Sequence, residues 1–258
     1  MSACDRPRTA RLADWLSPPW CLSCHSPLGS EPSALLLCSP CGGKLRPLDA
    51  RRHCCCCLRP LASAGREPRR CLGCRAAPPA LDRLIAAWWY EGPLRDVLRR
   101  LKFGRLEFLA RPLVDAAIGR EISTPLESVD LVAPVPLALW RRWSRGFNQA
   151  ESLARPLAAR LGRPLLDGLV RRLPVSPRQA RLGRARRLRI LDAGFRLRER
   201  ARERVAGNSI LLVDDIVTTG ATLAAAAAVL RRAGAREVLA FAVAATPAKG
   251  GGAASGLA

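Results

Sequence analysis

Lysine is almost missing from this 258-residue chain: Lys44, Lys102 and Lys249 are the only three, although lysine and arginine together number 43 against 21 acidic residues. The net charge of +22 is therefore carried by arginine. A field of that size draws polyanions at long range, so nucleic acid or a multiply charged phosphate ligand is the natural partner class. With so much alanine, glycine and proline alongside, the arginine excess also reads as a genome-wide codon preference, which selects no partner. Long apolar runs are lacking too. The longest uncharged one, Ile216 to Leu230, is too short for a membrane span, contains Thr218, Thr219 and Thr222, and follows two aspartates. The opening MSACDRPRTARLADWL has no apolar region of the signal-peptide kind. These absences lead us to expect a cytoplasmic protein without membrane insertion.

A reducing compartment disfavours structural disulfides, which turns attention to metal for the eleven cysteines. Ten of them lie between residues 21 and 74, in a stretch with many turn-formers and little apolar periodicity, which cannot build a hydrophobic core unaided. Cys21, Cys24, Cys38 and Cys41 form CxxC-x13-CxxC, and Cys54, Cys57, Cys71 and Cys74 repeat that spacing. Pro27-Leu28 recurs as Pro60-Leu61 at the same offset, the mark of an internal duplication. Two CxxC knuckles complete the tetrahedral shell that structural zinc prefers, and metal binding supplies the folding energy that a core cannot. Two zinc ions are the simplest count. The alternative pairing crosses the repeats, joining Cys21 and Cys24 to Cys54 and Cys57, and the spacing admits it; Cys55 and Cys56 are surplus thiols that could swap in. His25 and His53 adjoin the ligands but read as surface or supporting groups, and Cys4 as a free thiol. A redox role for CxxC would need a helix start after a strand, which this segment lacks.

From Leu81 onward the character changes, and with 49% hydrophobic residues the chain can bury one α/β core beside the small module. We expect boundaries at 18–78 for the cysteine-rich module, 79–247 for the main domain and 248–258 for a flexible tail. LIAAWWY reads as a strand. PLRDVLRRLKF follows as a helix with Leu94, Val97, Leu98 and Leu101 on one face. VDLVAPVP, Val129 to Pro136, and SILLVDD, Ser209 to Asp215, are nearly continuous apolar runs, as expected of strands buried on both faces of a parallel sheet. FNQAESLARPLAARLG predicts a helix stopped by Gly162, kinked or split at Pro156. TLAAAAAVLRRAG predicts a helix and REVLAFAVA the strand after it, which completes a βαβ unit. Between the two halves, residues 171–204 hold thirteen arginines against Asp192, Glu199 and Glu203.

Ligands of open α/β sheets bind beyond the carboxyl ends of the strands, where ILLV gives way to Asp214 and Asp215. The following loop, Thr218, Thr219, Gly220, Ala221 and Thr222, suits a phosphate monoester. Its glycine admits a close backbone approach, its hydroxyls donate, and a helix opens behind it. It has no lysine, so it is not a Walker A loop. Carboxylates beside a phosphate cradle make sense for a sugar phosphate, whose hydroxyls donate to the acids. The simpler alternative is a tight strand-to-helix turn with Asp215 and the threonines as caps.

The thirteen residues ILLVDDIVTTGAT, Ile210 to Thr222, resemble the 5-phosphoribosyl-1-pyrophosphate (PRPP) motif of type I phosphoribosyltransferases. The resemblance implies an α/β fold with a parallel sheet flanked by helices, the acidic pair on the ribose hydroxyls and the TTGAT loop on the 5′-phosphate. Together with the cysteine module, the whole chain resembles the ComF family, over about residues 18 to 247. The supporting stretches are YEGPLRDVLRRLKF, VPLALWRRWSRGFNQAESLA and QARLGRARRLRILDAGF. By the same resemblance the loop after Val135-Pro136 is the pyrophosphate site, Gln179 to Phe195 a covering loop, and Arg142, Arg145 and Arg187 anion contacts. Two departures stand out: Ala138 and Ile190 replace polar residues common in the family.

The resemblance leaves two functions in view. One is a phosphoribosyltransferase working on PRPP with Mg²⁺, with Asp214 and Asp215 at its catalytic centre. The usual amidophosphoribosyltransferase reaction also needs a glutaminase domain, which nothing here matches. The other is a DNA-uptake (competence) protein that handles single-stranded DNA beside a helicase, with PRPP as a regulatory ligand. Trp140 and Trp143, interleaved with Arg141, Arg142 and Arg145, suit base stacking, or plain packing.

Overall fold

The computed structural model describes residues 20–28, 33–104, 106–118, 126–137, 147–172 and 194–247. The cysteine-rich segment contributes two short helices, α1 (Ser39–Gly42) and α2 (Leu72–Ala76), one per repeat. Strand β1 (Arg83–Trp89) then leads through Gly92 into helix α3 (Gly92–Phe103), whose buried residues include the expected Leu94, Val97, Leu98 and Leu101. Helix α4 (Ala110–Ile118), β2 (Leu131–Pro134) and α5 (Gln149–Leu161) follow. Next come β3 (Val170–Arg172), β4 (Phe195–Leu197), the short α6 (Arg202–Val205), β5 (Ser209–Val217), α7 (Ala221–Arg232) and β6 (Glu237–Ala245).

Four strands form one parallel sheet in the order β1-β6-β5-β2. Both faces are covered, as all-parallel sheets require. On one side α3, α4 and α5 pack with Leu211, Val213 and Phe241; on the other lie α7 and Phe195 of the hairpin β3-β4. That antiparallel hairpin was not legible in the sequence, and residues 173–193 between its strands lie outside the described residues. Helix α5 runs through Pro156 as one element and ends at Gly162, whose φ of 63° is left-handed. The expected split therefore does not occur. No helix among the described residues is long and apolar enough to cross a membrane.

Strand β1 is an edge of the sheet, and the cysteine module covers it. Leu48 N–H donates to Ala87 O at 3.0 Å, Trp89 N–H to Arg46 O at 2.9 Å, and Leu84 N–H to Cys55 O at 2.7 Å. Leu28, Leu35 and Leu37 join Trp88 and α3 in one apolar cluster, while Ser23 Oγ donates to Asp96 Oδ2 of α3 at 2.8 Å. An edge that would otherwise present bare backbone groups is thereby closed. At the other end of the linker, Asp82 Oδ2 accepts from Val238 N–H at 2.8 Å and pairs with Arg231.

Leu98 is fully buried at the centre of the α3 contact. Leu98→Ala should cost about 2–5 kcal/mol through lost burial and the cavity left behind. Denaturant titration measures it, with metal content unchanged because no cysteine is disturbed.

Candidate functional site

Strand β5 does not stop at the acidic pair: it continues to Val217, in register with β6 through Asp214–Ala242 and Ile216–Ala244. The sequence reading placed Asp214 and Asp215 at the strand's end; they lie inside it. At this level the paired residues skip from Ala86, Ala242 and Asp214 to Trp88, Ala244 and Ile216 across three adjacent strands. Ala87 and Trp88, like Val243 and Ala244, fall consecutively on the α3 side, so the alternation of faces slips by one residue. Asp215 and Ile216 do the same in β5, since Ile216 packs on that cluster and Asp215 reaches α3.

What Asp215 reaches is Lys102: Nζ lies 2.9 Å from Oδ2, with the side chains only 17% and 10% exposed. Asp215 also donates its backbone N–H to Asp214 Oδ1 at 2.9 Å. Burial, and next the charge of Asp215, push the Asp214 carboxyl up to about 7, against the backbone N–H of Asp215 and the charge of Lys102. Near neutral pH the pair thus holds one carboxylate facing an ammonium and one carboxyl poised to gain or lose a proton.

The turn after β5 is anchored from β6, because Thr246 N–H donates to Val217 O at 2.9 Å and Thr246 Oγ1 to Thr218 O at 3.4 Å. Thr218 and Thr219 are exposed, and Gly220 takes the left-handed φ of 71° that ends the turn and opens α7. Thr219 Oγ1 accepts from Ala221 N–H at 3.4 Å, so one threonine does cap the helix start. Asp215 does not act as that cap; the capping position is Gly220.

The structure brings the cysteines together within each repeat and not across them: Cys21, Cys24, Cys38 and Cys41 form one cluster, and Cys54, Cys57, Cys71 and Cys74 the other, each with its sulfurs within 4.8 Å of one another. Cys24 and Cys38 lie 3.6 Å apart and Cys57 and Cys71 3.7 Å. A zinc–thiolate tetrahedron with bonds of about 2.3 Å has edges of about 3.8 Å, so the donor set fits. Backbone contacts repeat at the sequence offset. Cys38 N–H reaches Cys21 Sγ at 3.5 Å as Cys71 N–H reaches Cys54 Sγ at 3.3 Å, and His25 and Leu58 share a left-handed φ. A hydrogen bond with Ser26 lowers the Cys24 thiol to about 6. Burial raises Cys54, but the backbone N–H groups of Cys71, Cys56 and Cys57 outweigh it and bring it down to about 7. Burial pushes Cys41 up to about 12 and Cys57 to about 11, so these two thiols hold their protons most firmly. Cys56 Sγ donates to Asp82 O at 3.1 Å, outside the cluster. His53 Nδ1 meets Asp49 O at 2.7 Å and its ring stands edge-on to Trp89, so it supports the module without joining the ligands.

Arg142, Arg145, Arg187, Trp140, Trp143, Ala138, Ile190 and Cys4 lie outside the described residues. Two residues escaped the sequence reading. Lys102 followed the buried Leu101 in an amphipathic helix and looked like a solvated side chain; its one signal was being a lysine in a chain that otherwise uses arginine. Asn148 of RGFNQ caps α5 through Ala150 N–H at 3.3 Å and donates from Nδ2 to Val135 O at 3.2 Å, tying the helix start to the end of β2. Among the described residues the acidic pair is a poor donor set for direct ligation of magnesium, because Lys102 occupies Asp215 Oδ2 and burial raises the Asp214 carboxyl.

Residues 134–253 match the phosphoribosyl transferase domain, and the parallel sheet flanked by helices is that of a type I phosphoribosyltransferase-like protein. A DNA utilization protein YhgH from Salmonella typhimurium is 34% identical over 203 residues, covering 77% of this chain and 85% of that one. Competence protein F of Haemophilus influenzae is 29% identical over 200 residues, covering 76% and 83%. The chain belongs to the ComF family. Adenine phosphoribosyltransferase from Saccharomyces cerevisiae aligns at a TM-score of 0.35 and 21% identity over 55% of this chain and 72% of that one, too distant to argue from.

Since the folded Asp214 carboxyl titrates near 7 and an unfolded one near 3.9, the native state binds the extra proton between those values. This group's contribution to stability should therefore fall as pH rises from about 4 to 7. Asp214→Asn should flatten that decline and be the more stable protein above pH 7. Urea titrations of both proteins across this range check it.

Proposed function

We propose that the carboxyl end of β5 is a PRPP site, with Asp214 and Asp215 taking the ribose hydroxyls and Thr218, Thr219, Gly220, Ala221 and Thr222 the 5′-phosphate. The observation that carries this reading is an acidic pair held inside a strand, with Asp215 five residues before a left-handed glycine that opens a helix. A phosphate at that helix start meets backbone N–H groups and the positive end of the dipole, while vicinal hydroxyls find acceptors next door. Arg142, Arg145 and Arg187 are the proposed contacts to the pyrophosphate. In a transfer reaction the bond from ribosyl carbon 1 to a pyrophosphate oxygen breaks, pyrophosphate leaves with the electron pair, and an acceptor bonds to that carbon and gives up a proton. A base for that proton is what the site offers least: Asp214 has the right protonation range, but the ribose claims it.

We therefore read the chain as a PRPP-binding protein first. The names of its relatives, a DNA utilization protein and a competence protein, favour a role in handling DNA with PRPP as a regulatory ligand. Calorimetry should find PRPP binding in the wild type and its loss in Asp214→Asn/Asp215→Asn. With PRPP, Mg²⁺ and a panel of bases and amines, pyrophosphate release should be slow or absent. Brisk release that depends on the acceptor and disappears in Asp215→Asn would make the protein an enzyme instead.

Zinc in the two cysteine clusters is the metal proposed for the N-terminal module. Protein purified without chelators should hold close to two zinc ions, Cys24→Ser and Cys57→Ser should each lose one and destabilise the module, and His53→Ala should keep both. Metal analysis that finds no zinc in the wild type rejects the assignment.

A further inference from the structure

Lys102 faces the acidic pair, where two carboxyl groups side by side would otherwise call for an outside cation. Its helix is fixed by Leu94, Val97, Leu98 and Leu101, all fully buried, so the ammonium is presented from a rigid element and not from a loop. It lies in the last turn of α3, where the helix dipole favours positive charge, and its aliphatic stem can run along the apolar cluster beneath. A poorly exposed ion pair of this kind is a weak stabiliser, because two apolar side chains of similar volume often serve a core as well. Its reason for being there is then the site it faces. The choice of lysine points the same way: an ammonium is a compact charge with three donors, and one of them spent on Asp215 leaves others for an incoming oxygen.

We infer that Lys102 is the site's own counter-cation and the positioning residue for Asp215, so that the sugar phosphate is taken without a divalent ion to neutralise the acidic pair. The inference rests on the sugar-phosphate reading given above. A ligand entering from the β5 end meets a carboxylate already matched in charge and held in place. Its hydroxyls add to an existing ion pair, and no metal has to be recruited first.

The test is calorimetric titration of the full chain with ribose 5-phosphate and with PRPP, with and without added Mg²⁺. Strong chelators are left out because they would strip the cysteine clusters. Wild-type affinity for ribose 5-phosphate should be nearly independent of Mg²⁺. Without Mg²⁺, Lys102→Met should bind about tenfold or more weakly, the scale of one charge-assisted hydrogen bond, and added Mg²⁺ should restore much of the loss. Lys102→Arg, which keeps the charge, should retain most of the affinity. Thermal melting and zinc content identify a misfolded Lys102→Met, in which case Lys102→Gln carries the same comparison. The inference is overturned if Lys102→Met matches the wild type at every Mg²⁺ concentration while Asp215→Asn binds weakly, or if the wild type itself needs Mg²⁺ for ribose 5-phosphate. A wild type that binds neither ligand under any condition brings down the sugar-phosphate reading itself, and this inference with it.

Discussion

A parallel sheet needs both faces covered and its edges closed, and at strand β1 this chain meets that requirement with its cysteine-rich segment. The module that closes the edge has no core of its own, only two cysteine clusters and a few leucines, and it makes backbone hydrogen bonds to Leu84, Ala87 and Trp89. Its order must come from within the knuckles, where backbone N–H groups point at sulfur and Cys21, Cys24 and Cys54 are lowered from the usual thiol range. Such a module is stiff only when a cation satisfies the remaining sulfurs. Coverage of the sheet edge therefore depends on whatever holds each cluster together.

The second constraint lies further into the sheet, in β5. β5 is apolar from Ile210 to Val213, and it must then carry two carboxylates before its pairing with β6 ends. The slip in face alternation across β1, β6 and β5 occurs at this level and sets Asp215 toward α3. Without Lys102 two acids would share one poorly hydrated space, and the burial and repulsion that raise the Asp214 carboxyl would be opposed only by the backbone N–H of Asp215. The site is thus shaped by how a buried strand can end in charge.

Much of this was legible in the residues. Cysteine spacing gave the ligand residues though not their pairing, apolar runs gave β2, β5 and β6, and the thirteen residues from Ile210 gave the turn, because each of these is a local pattern with one physical cause. The misses are non-local. Nothing around Lys102 says that α3 ends above Asp215, since that depends on how the helix packs on the sheet. Nothing in VRR or FRL says that Val170–Arg172 and Phe195–Leu197 pair, as both are three residues long and separated by the arginine-rich stretch. The β1 edge contact was hidden for the same reason. Its hydrogen bonds use the backbone of Arg46, Leu48 and Cys55, whose side chains carry no trace of it.

Helix α3 joins these two constraints. One of its ends touches the cysteine module through Asp96 and Ser23, its apolar face shares a cluster with Leu28, Leu35 and Leu37, and its last turn carries Lys102. Any change that loosens the module acts on the helix that positions the counter-charge, over a short chain of packed side chains. A cysteine variant with weakened PRPP binding would therefore not show that the module touches the ligand. The two effects separate at Lys102: a contact through α3 should weaken the binding that depends on its charge, and should leave a variant already lacking that charge little further affected.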